Sequence, residues 1–442
     1  MGRGDPGQLK AWKNMSTQEE PEMSLRFAAL ADDVTGATDL AGSWRRRGLR
    51  TAVIFGEPTV DDLEYARSMD AVVFALKIRS IDADDASEVA KRVGEALAPL
   101  TEVQVYDKYC STFDSTPEGN IGPIADALAT ALEAERAVVV PSMPANGRTV
   151  YQGHLFVHDQ LLSESPMRNH PLNPMRDSNI ARLLQAQTSR QVGMVPLSVV
   201  REGTEALRQA LDSRQSGGDF YIVVDAVDTS DLEVISAATA DDRLVTGGSG
   251  LALGTPAASV EPEPLRAMDG RKIILAGSAS TATRRQVSKG EAAYASRTID
   301  PVRATEDPSA LAAELIAWAD QEWAHSPDKP VLIHSDAESL GGRAPTRAQA
   351  EGIERTMAEL ARRAFASGAR QFLVAGGETS GSVIAALDVD RLELGEEVDP
   401  GVSWALGHVR PRETEAASDC NLLLKSGNFG SDDLFTTAWE AL

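Results

Sequence analysis

Residues 29–42, ALADDVTGATDLAG, decide the fold predicted for this sequence. An apolar run ends there in two adjacent acids, Asp32 and Asp33, and a helix is predicted to begin near Thr35. Ligands of open α/β sheets bind outside the carboxyl ends of the strands, so two acids at a strand end face the predicted crevice. One of them could instead cap the helix. The stretch therefore predicts a strand, a turn with functional acids and a helix.

Outward from this stretch, strand-like and helix-like segments alternate. Short runs rich in β-branched residues are followed by Ala-rich segments, and the pattern restarts at Arg271. The alternation predicts an α/β fold of two domains, each a mostly parallel sheet flanked by helices. The predicted parts are a flexible leader at 1–24, a first domain at 25–254, a linker rich in Pro, Ala and acids at 255–270, and a second domain at 271–442.

Two segments depart from the pattern. Residues 146–195 are interpreted as a long loop or a small insertion near the substrate site. The glycines of GGSGLALG, residues 247–254, do not make a dinucleotide fingerprint, because no convincing strand precedes them. His154 and His158 have helical i, i+4 spacing, but Leu155 stands where the zinc-protease motif has glutamate. A histidine metal pair is therefore not favoured, and metal ligands stay unassigned.

Composition limits the partners. The 43 Lys and Arg against 66 Asp and Glu give a net charge of −23, which argues against nucleic acid and anionic membranes. A small anionic substrate stays compatible, because charges farther than about 8 Å away are screened. Two cysteines are too few for a disulfide framework and indicate a reducing compartment. Without an apolar run of signal-peptide or membrane-spanning length, we expect a cytoplasmic protein.

Residues 106–122, YDKYCSTFDSTPEGNIG, form a polar loop between a predicted strand and a predicted helix. Such side chains can grip a polyhydroxy carboxylate, although Ser, Thr, Asp and Gly are also common in ordinary loops. Nothing nearby activates the thiol of Cys110, so no nucleophile is expected there. Two arginines, Arg79 and Arg148, are also candidate substrate ligands, although each could equally be a surface arginine. The candidates within the loop are Lys108, Ser111, Asp114, Ser115 and Asn120.

Three glycine-containing loops follow predicted strands in the second domain, at 275–287, 374–387 and 425–435. Small residues let backbone N–H groups approach phosphate oxygens, and a helix N-terminus adds about half a positive charge. One such loop could be a simple turn, but three together predict a nucleotide site. No lysine follows a glycine anywhere in the chain, so a P-loop is excluded, and the protein-kinase triplets His-Arg-Asp and Asp-Phe-Gly are absent.

These motifs resemble those of the four-carbon acid sugar kinase family, formerly known by a domain of unknown function. From about Arg26 to the C-terminus, ADDVTGATDLAG matches the opening of the family's substrate domain, and GSAS, GGETSG and KSGNFG match its nucleotide domain. KYCSTFDSTPEGNIG, NGRTVYQGHLFV and HPLNPMRDSN look like its 3-oxo-tetronate kinase branch. The D-threonate and D-erythronate kinase branches carry a Lys and an Arg where Thr112 and Glu118 stand here, which argues against those substrates.

The resemblance implies ATP-dependent transfer to the C4 hydroxyl of a four-carbon acid sugar, so the implied partners are ATP and the sugar acid. It also implies substrate contacts at the N-terminal acids and the 108–120 loop. Mg²⁺ and a general base, Asp33 or Asp32, are our own interpretation of what phosphoryl transfer requires. Base rates for metabolic enzymes favour a homodimer. The implied ATP contacts are Ser278, Gly376, Gly377, Glu378, Thr379 and Gly427.

Two other classes stay open from the residues alone. An aldolase, lyase or dehydrogenase acting on the same sugar acids would need no ATP, and the three glycine loops would then be structural turns. A non-catalytic sugar-acid sensor would use the polar loop of the first domain and gain nothing from GGETSG. Release of ADP in response to a sugar acid distinguishes a kinase from both.

Overall fold

The computed structural model describes residues 25–169, 173–259, 263–335, 346–410 and 419–442. The leader predicted for residues 1–24 lies outside the described residues, as do residues 260–262 of the predicted linker. Within the described ranges, no helix is both long enough and apolar enough to cross a membrane.

The N-terminal half, up to residue 259, alternates strands and helices. Its first strand, FAALA, is almost wholly buried, which is typical of a strand inside a parallel sheet. The strands are β1 Phe27–Ala31, β2 Thr51–Phe55, β3 Ala71–Ala75, β4 Gln104–Lys108, β5 Ala137–Val140, β6 Arg148–Tyr151, β7 His154–Val157, β8 Gln160–Leu161, β9 Val192–Val195, β10 Tyr221–Val224 and β11 Leu244–Gly247. The helices are α1 Val34–Arg46, α2 Val60–Ala66, α3 Ala83–Leu97, α4 Ile121–Ala131, α5 Ile180–Gln185, α6 Leu197–Val200, α7 Thr204–Ser216, α8 Thr229–Ala238 and α9 Gly250–Leu253.

The C-terminal half, from residue 263, repeats the alternation and adds a long hairpin. Its strands are β12 Arg271–Ala276, β13 Ser296–Ile299, β14 Val331–Ser335, β15 Ala369–Ala375, β16 Val389–Asp399, β17 Val402–Val409 and β18 Cys420–Lys425. Its helices are α10 Thr281–Ala293, α11 Pro301–Glu306, α12 Pro308–His325, α13 Arg347–Ala366, α14 Gly377–Leu387 and α15 Leu434–Thr437.

Both halves contribute to one continuous 15-stranded sheet, in the order β13-β14-β12-β15-β18-β17-β16-β2-β3-β1-β4-β11-β5-β10-β9. The predicted α/β class is confirmed, since the strands are mostly parallel and helices flank them. The two predicted sheets, however, are joined edge to edge. The antiparallel hairpin β16–β17 pairs with β18 on one side and with β2 on the other, both antiparallel.

Side chains from both halves also pack together at this junction. One core cluster contains Leu40 and Trp44 of α1 together with Leu392 of β16. Arg46 of α1 forms an ion pair with Glu397 of β16 at 3.0 Å. The two halves therefore share a buried core, and α1 is held between them.

Residues 146–169 and 173–195 carry regular structure, which favours the small insertion over the long loop. β6, β7 and β8 form a separate three-stranded antiparallel sheet, and β9 joins the edge of the main sheet. Gln152 and Gly153, between β6 and β7, have φ values of 50° and 71°. Positive φ at both positions is typical of the two-residue turns that close β-hairpins.

One narrower expectation was wrong. A strand, β11, does precede the glycines at 247–254, although none was expected there. His154 lies on β7, and His158 follows that strand with a φ of 57°, so the two histidines are not neighbours on a helix. The helix expected near Thr35 begins at Val34.

The junction yields a prediction about pH. His408 of β17 pairs with Glu393 at 3.0 Å and Asp419 at 3.2 Å, and Tyr65 of α2 donates to Glu393 at 2.7 Å. Burial and Arg391 disfavour the imidazolium, but the hydrogen bond to Glu393 and the two carboxylate charges outweigh them and raise the pKa of His408. The stabilisation is therefore complete below about pH 6.5 and is lost as pH rises through the raised pKa.

We expect His408→Gln to lower the free energy of unfolding most at about pH 6, with the difference from wild type shrinking toward alkaline pH. Denaturant unfolding of both proteins across the pH range measures this. A difference that does not change with pH would contradict it.

Candidate active site

The turn after β1 holds an ion-pair cluster of Asp32, Asp33 and Arg79, called here the acid–arginine cluster. Asp32 is only 4% exposed, whereas Asp33 is half-buried. Arg79 donates from Nε to Asp32 Oδ2 at 2.9 Å. Its Nη2 donates to Asp32 Oδ1 at 2.7 Å and to Asp33 Oδ1 at 2.9 Å. The structure thus brings together three residues that the sequence singled out, with one cation shared by two acids.

Asp33 can serve both roles considered for these acids. Its Oδ1 accepts a hydrogen bond from the backbone N–H of Gly36 at 2.8 Å and so caps α1. Its Oδ2 accepts no hydrogen bond from the described part of the chain, and 30% of the side chain is exposed. One oxygen therefore holds the helix start while the other is open to a ligand.

Burial and ion pairing set the charges in the cluster. Burial raises the pKa of the Asp32 carboxyl, and the hydrogen bonds from Arg79 oppose that rise. Burial also disfavours the charge on Arg79, but its bonds to the two acids outweigh this and raise its pKa. The guanidinium therefore stays cationic. Nη1 of Arg79 makes no hydrogen bond within the described residues, so it can bind an anionic ligand group.

Lys108, at the end of β4, reaches the same turn. It is 3% exposed, and its Nζ donates to the carbonyl of Tyr109 at 2.9 Å. A Cβ placed on Gly36 would lie 2.3 Å from Asp33 Oδ1 and 2.9 Å from Lys108 Nζ. Only a glycine therefore lets the carboxylate and the ammonium approach the start of α1 together.

Asp107 is a candidate that the sequence reasoning missed. It is 1% exposed, and its Oδ2 has no hydrogen-bond partner in the described structure. Burial raises the pKa of Asp107 well above its usual range, the charge of Asp32 raises it further, and Lys108 opposes both. The protonated carboxyl is therefore favoured, and in that form it can donate a hydrogen bond. Its only sequence signal was an acid inside the apolar run VQVYDKY.

Two residues of the polar loop brace the site. Asn120 Nδ2 donates to the carbonyl of Ile78 at 2.6 Å, beside Arg79. Ser115 Oγ accepts from Gln187 Nε2 at 2.9 Å. Both side chains are buried, so they fix the loop, and direct contact with a ligand stays a prediction for them.

Two other loop residues have free groups near the site. Asp114 has a buried Oδ1 without a hydrogen-bond partner in the described structure. Burial and the charge of Asp114 raise the pKa of the Cys110 thiol to about 12, against the opposing charge of Arg79. The thiol is therefore neutral, and the charges of Asp114 and Arg79 both act on it. Ser111 lies after β4 against the turn that follows β11, where a Cβ on Gly248 would be 3.1 Å from its Cβ.

Arg148 lies on the separate three-stranded sheet. It begins β6, its Nη1 donates to the carbonyl of Asn146, and its buried Nε has no partner in the described structure. β6 follows the turn after β5, and β11 separates β5 from β4 in the sheet. Within the described ranges no hydrogen bond or ion pair joins Arg148 to the cluster, so its role in binding stays a prediction.

The three glycine-containing loops of the C-terminal half emerge side by side. β15 pairs in parallel with β12 on one side and with β18 on the other. The loops at 277–280, 376–379 and 426–431 therefore leave the sheet at one edge. α10 begins directly after the first loop, and α14 begins within the second, at Gly377. Backbone N–H groups at such helix starts bind anions.

Glycines let these loops touch one another. A Cβ on Gly427 would lie 2.4 Å from Ser278 Oγ, and one on Gly376 would lie 3.3 Å from the backbone nitrogen of Ser278. A Cβ on Gly277 would lie 2.1 Å from Thr379 Oγ1. Gly376 also has a φ of 129°, which side-chain-bearing residues rarely adopt. Four of the implied ATP contacts therefore converge in one small space.

The two halves meet at the starts of their helices. Gly377 opens α14, and a Cβ on it would lie 3.7 Å from Oγ1 of Thr35, two residues after Asp33. One turn later, a Cβ on Gly381 would lie 3.9 Å from Nζ of Lys77, an exposed lysine that the sequence reasoning also missed. Glu378 is exposed beside them. The predicted phosphate loops therefore face the acid–arginine cluster.

Known families share this two-part architecture. A family described as the sugar-binding N-terminal domain matches residues 27–255, and one described as the nucleotide-binding C-terminal domain matches residues 273–435. The fold and the site therefore define a class of enzyme in which a sugar-binding part and a nucleotide-binding part face each other.

Similar proteins narrow that class. A 3-oxo-tetronate kinase of Burkholderia multivorans is 41% identical over 434 residues, covering 94% of this chain and 97% of its own. One of Brucella melitensis is 40% identical over 442 residues, covering 94% and 95%. A crystal structure of a Haemophilus influenzae protein matches with a TM-score of 0.81 at 35% identity, covering 94% and 99%. The chain belongs to the four-carbon acid sugar kinase family, and the predicted kinase and nucleotide-binding functions are confirmed.

The crowding at Gly36 gives a direct test of the site. We expect Gly36→Ala to displace Asp33 or Lys108 and to lower sugar-acid-dependent ADP release about 100-fold, the scale of a 1 Å misplacement. Gly42→Ala is the matched control on the same helix, because a Cβ there meets nothing within 4 Å. The control should keep its activity and gain about 0.5–1 kcal/mol of stability. Equal activities of the two variants would contradict the assigned geometry.

Proposed function

We propose that this chain transfers the γ-phosphoryl group of ATP to the C4 hydroxyl of a 3-oxo-tetronate, releasing the 4-phosphate and ADP. The observation that carries the proposal is the approach of Gly377 to Thr35, which sets the start of α14 beside the acid–arginine cluster. The names of the curated relatives support the choice of substrate.

In this proposal each half of the chain binds one of the two substrates. Residues 25–254 bind the sugar acid, residues 271–442 bind ATP, and residues 255–270 link them. The homodimer and the cytoplasmic location stay predictions from the sequence.

The sugar acid would be held by charges at the ends of β1, β3 and β4. Arg79 Nη1 and Lys108 Nζ supply positive charge for the carboxylate, since both keep hydrogen-bond donors that the described chain does not use. Asp33 Oδ2 accepts a hydrogen bond from the C4 hydroxyl. Asp114 and Ser111 contact the remaining oxygens, and Asp32 fixes Arg79.

Phosphoryl transfer then needs a base, an aligned phosphate and charge stabilisation. Asp33 Oδ2 takes the proton of the C4 hydroxyl as the C4 oxygen bonds to the γ-phosphorus. The bond from that phosphorus to the bridging oxygen breaks, and ADP leaves with the electron pair. Backbone N–H groups at the starts of α10 and α14 hold the phosphates, and Lys77 adds positive charge beside α14.

Mg²⁺ supplies further charge neutralisation on the phosphates when it is bound. In the described part of the chain no group of three or more His, Cys, Asp or Glu residues forms a cage for a metal. Mg²⁺ is usually held by substrate phosphates, waters and one or two carboxylates. Glu378, exposed in the first turn of α14, is the acid within the three loops that would hold it.

No observation favours the D-threonate or D-erythronate alternatives. Thr112 stands where the resemblance places a lysine in those branches. It is buried, with its Oγ1 2.9 Å from Cys110 Sγ. The threonine at this position, in place of that lysine, supports the 3-oxo-tetronate assignment.

The role of Asp33 can be separated from its helix cap. Asparagine caps helices about as well as aspartate, so Asp33→Asn should leave stability and ATP binding nearly unchanged. Turnover should fall about 10²–10⁴-fold, because the proton acceptor is lost. Asp228→Asn, at the remote cap of α8, is the matched control and should keep wild-type turnover. Near-wild-type turnover of Asp33→Asn would remove Asp33 from the mechanism.

The reaction itself is tested with a panel of tetronates and 3-oxo-tetronates. We expect ADP release with a 3-oxo-tetronate and an added phosphoryl group in the mass of the product. Stronger ADP release with D-threonate or D-erythronate would overturn the substrate. Absence of ligand-dependent ADP throughout the panel would overturn the kinase reaction and return the lyase, dehydrogenase and sensor interpretations.

A further inference from the structure

Lys425 is a buried cation without a protein counter-charge in the described chain. It ends β18 and is 2% exposed. The groups that face its Nζ are Thr283 and Gln286 of α10, the Gly427 carbonyl and the ring of Phe435, and none of them is charged. Burial alone lowers the pKa of Lys425 to about 8. An unpaired buried charge is costly, so a nearby anion would be strongly favoured.

The ammonium cannot reach such an anion by a hydrogen bond of its own. Its Nζ donates to Thr283 Oγ1 at 2.9 Å, to Gln286 Oε1 at 2.5 Å and to the carbonyl of Gly427 at 3.1 Å. An ammonium has three hydrogens, and these acceptors use all of them. Lys425 therefore acts through the loop that it holds and through its charge.

The held loop is the last of the three phosphate loops. The Gly427 carbonyl also accepts from Ser280 Oγ and from Thr283 Oγ1 at 2.8 Å. Gln286 Nε2 contacts the carbonyls of the next part of the loop, at Phe429, Gly430 and Ser431, at distances of 3.1, 3.1 and 2.9 Å. Thr283 and Gln286, one turn apart on α10, thus bind the two ends of the loop. Lys425 Nζ donates hydrogen bonds to both of these side chains.

We propose that Lys425 is a positioning residue that, with Thr283 and Gln286, fixes loop 427–431 to receive the nucleotide phosphates, whose charge then compensates the buried ammonium. This inference rests on the proposed ATP site. Phosphates beside Gly427 favour the charged lysine, so nucleotide binding near pH 8 must be accompanied by proton uptake. A purely structural lysine would not couple proton uptake to nucleotide binding.

The test is calorimetric titration of the full chain with ATP, without sugar acid, at pH 8 in two buffers of different ionisation enthalpy. We expect the wild type to take up a fraction of a proton more than Lys425→Met. We also expect Lys425→Met to raise the Kd and KM for ATP about tenfold or more while the KM for the sugar acid stays within about twofold, an asymmetry that loop positioning predicts. Lys329→Met, an exposed lysine far along the chain, is the charge-matched control and should behave as wild type.

The outcomes separate this inference from the proposed function. Wild-type protein that binds no ATP would overturn both. ATP binding with the same affinity and proton uptake in wild type and Lys425→Met would overturn the inference alone. The inference would also be overturned if Lys425→Met lowered the Tm and lowered kcat/KM equally for ATP and for the sugar acid, because that pattern indicates a merely structural role. If Lys425→Met does not fold, Gln286→Leu decides: it keeps the charge and should weaken ATP binding but retain proton uptake, and unchanged ATP affinity would overturn the inference.

Discussion

The antiparallel pairing of β2 with β16 is the interaction on which the rest of the structure depends. Its register sets Leu392 against Val53 and Glu393 against Ala52, and it merges two strand–helix units into one sheet. Three successive antiparallel pairings, β18–β17, β17–β16 and β16–β2, reverse strand direction between the halves. Strands twist by about 20–25° at each step, so six steps from β15 to β1 accumulate roughly 120–150°. The twist largely offsets the reversal, which explains how the loop after β15 meets the turn after β1.

A second constraint is charge. The chain carries a net charge of −23, yet its proposed ligands are anions. Positive charge is concentrated where these anions would bind. The loops that face each other carry four cations: Arg79, Lys108, Lys77 and Lys425. Two of these cations are buried and therefore poorly screened by solvent. Placement, more than net charge, sets the field that a sugar acid or nucleotide meets.

Local sequence predicted much of this arrangement. The apolar run before Asp32 and Asp33 predicted β1, the turn and α1, because strand periodicity and capping chemistry are local. The hairpin at Gln152 and Gly153 was also within reach, since a turn of this kind between short β-rich runs is a hairpin signal. The β2–β16 pairing was not, because it joins segments about 340 residues apart and no local pattern specifies an edge partner. The sequence also did not predict Asp107 as a site residue, because only its burial distinguishes it from an ordinary acid on a strand.

The central claim is that the facing loops deliver a phosphoryl group to the C4 oxygen of a 3-oxo-tetronate. Phosphorus NMR of the reaction mixture with ATP and that substrate tests it most directly. The account predicts a phosphate-ester signal coupled to the two protons of the terminal C4 methylene. A signal coupled to the single C2 proton, or inorganic phosphate alone, would contradict it.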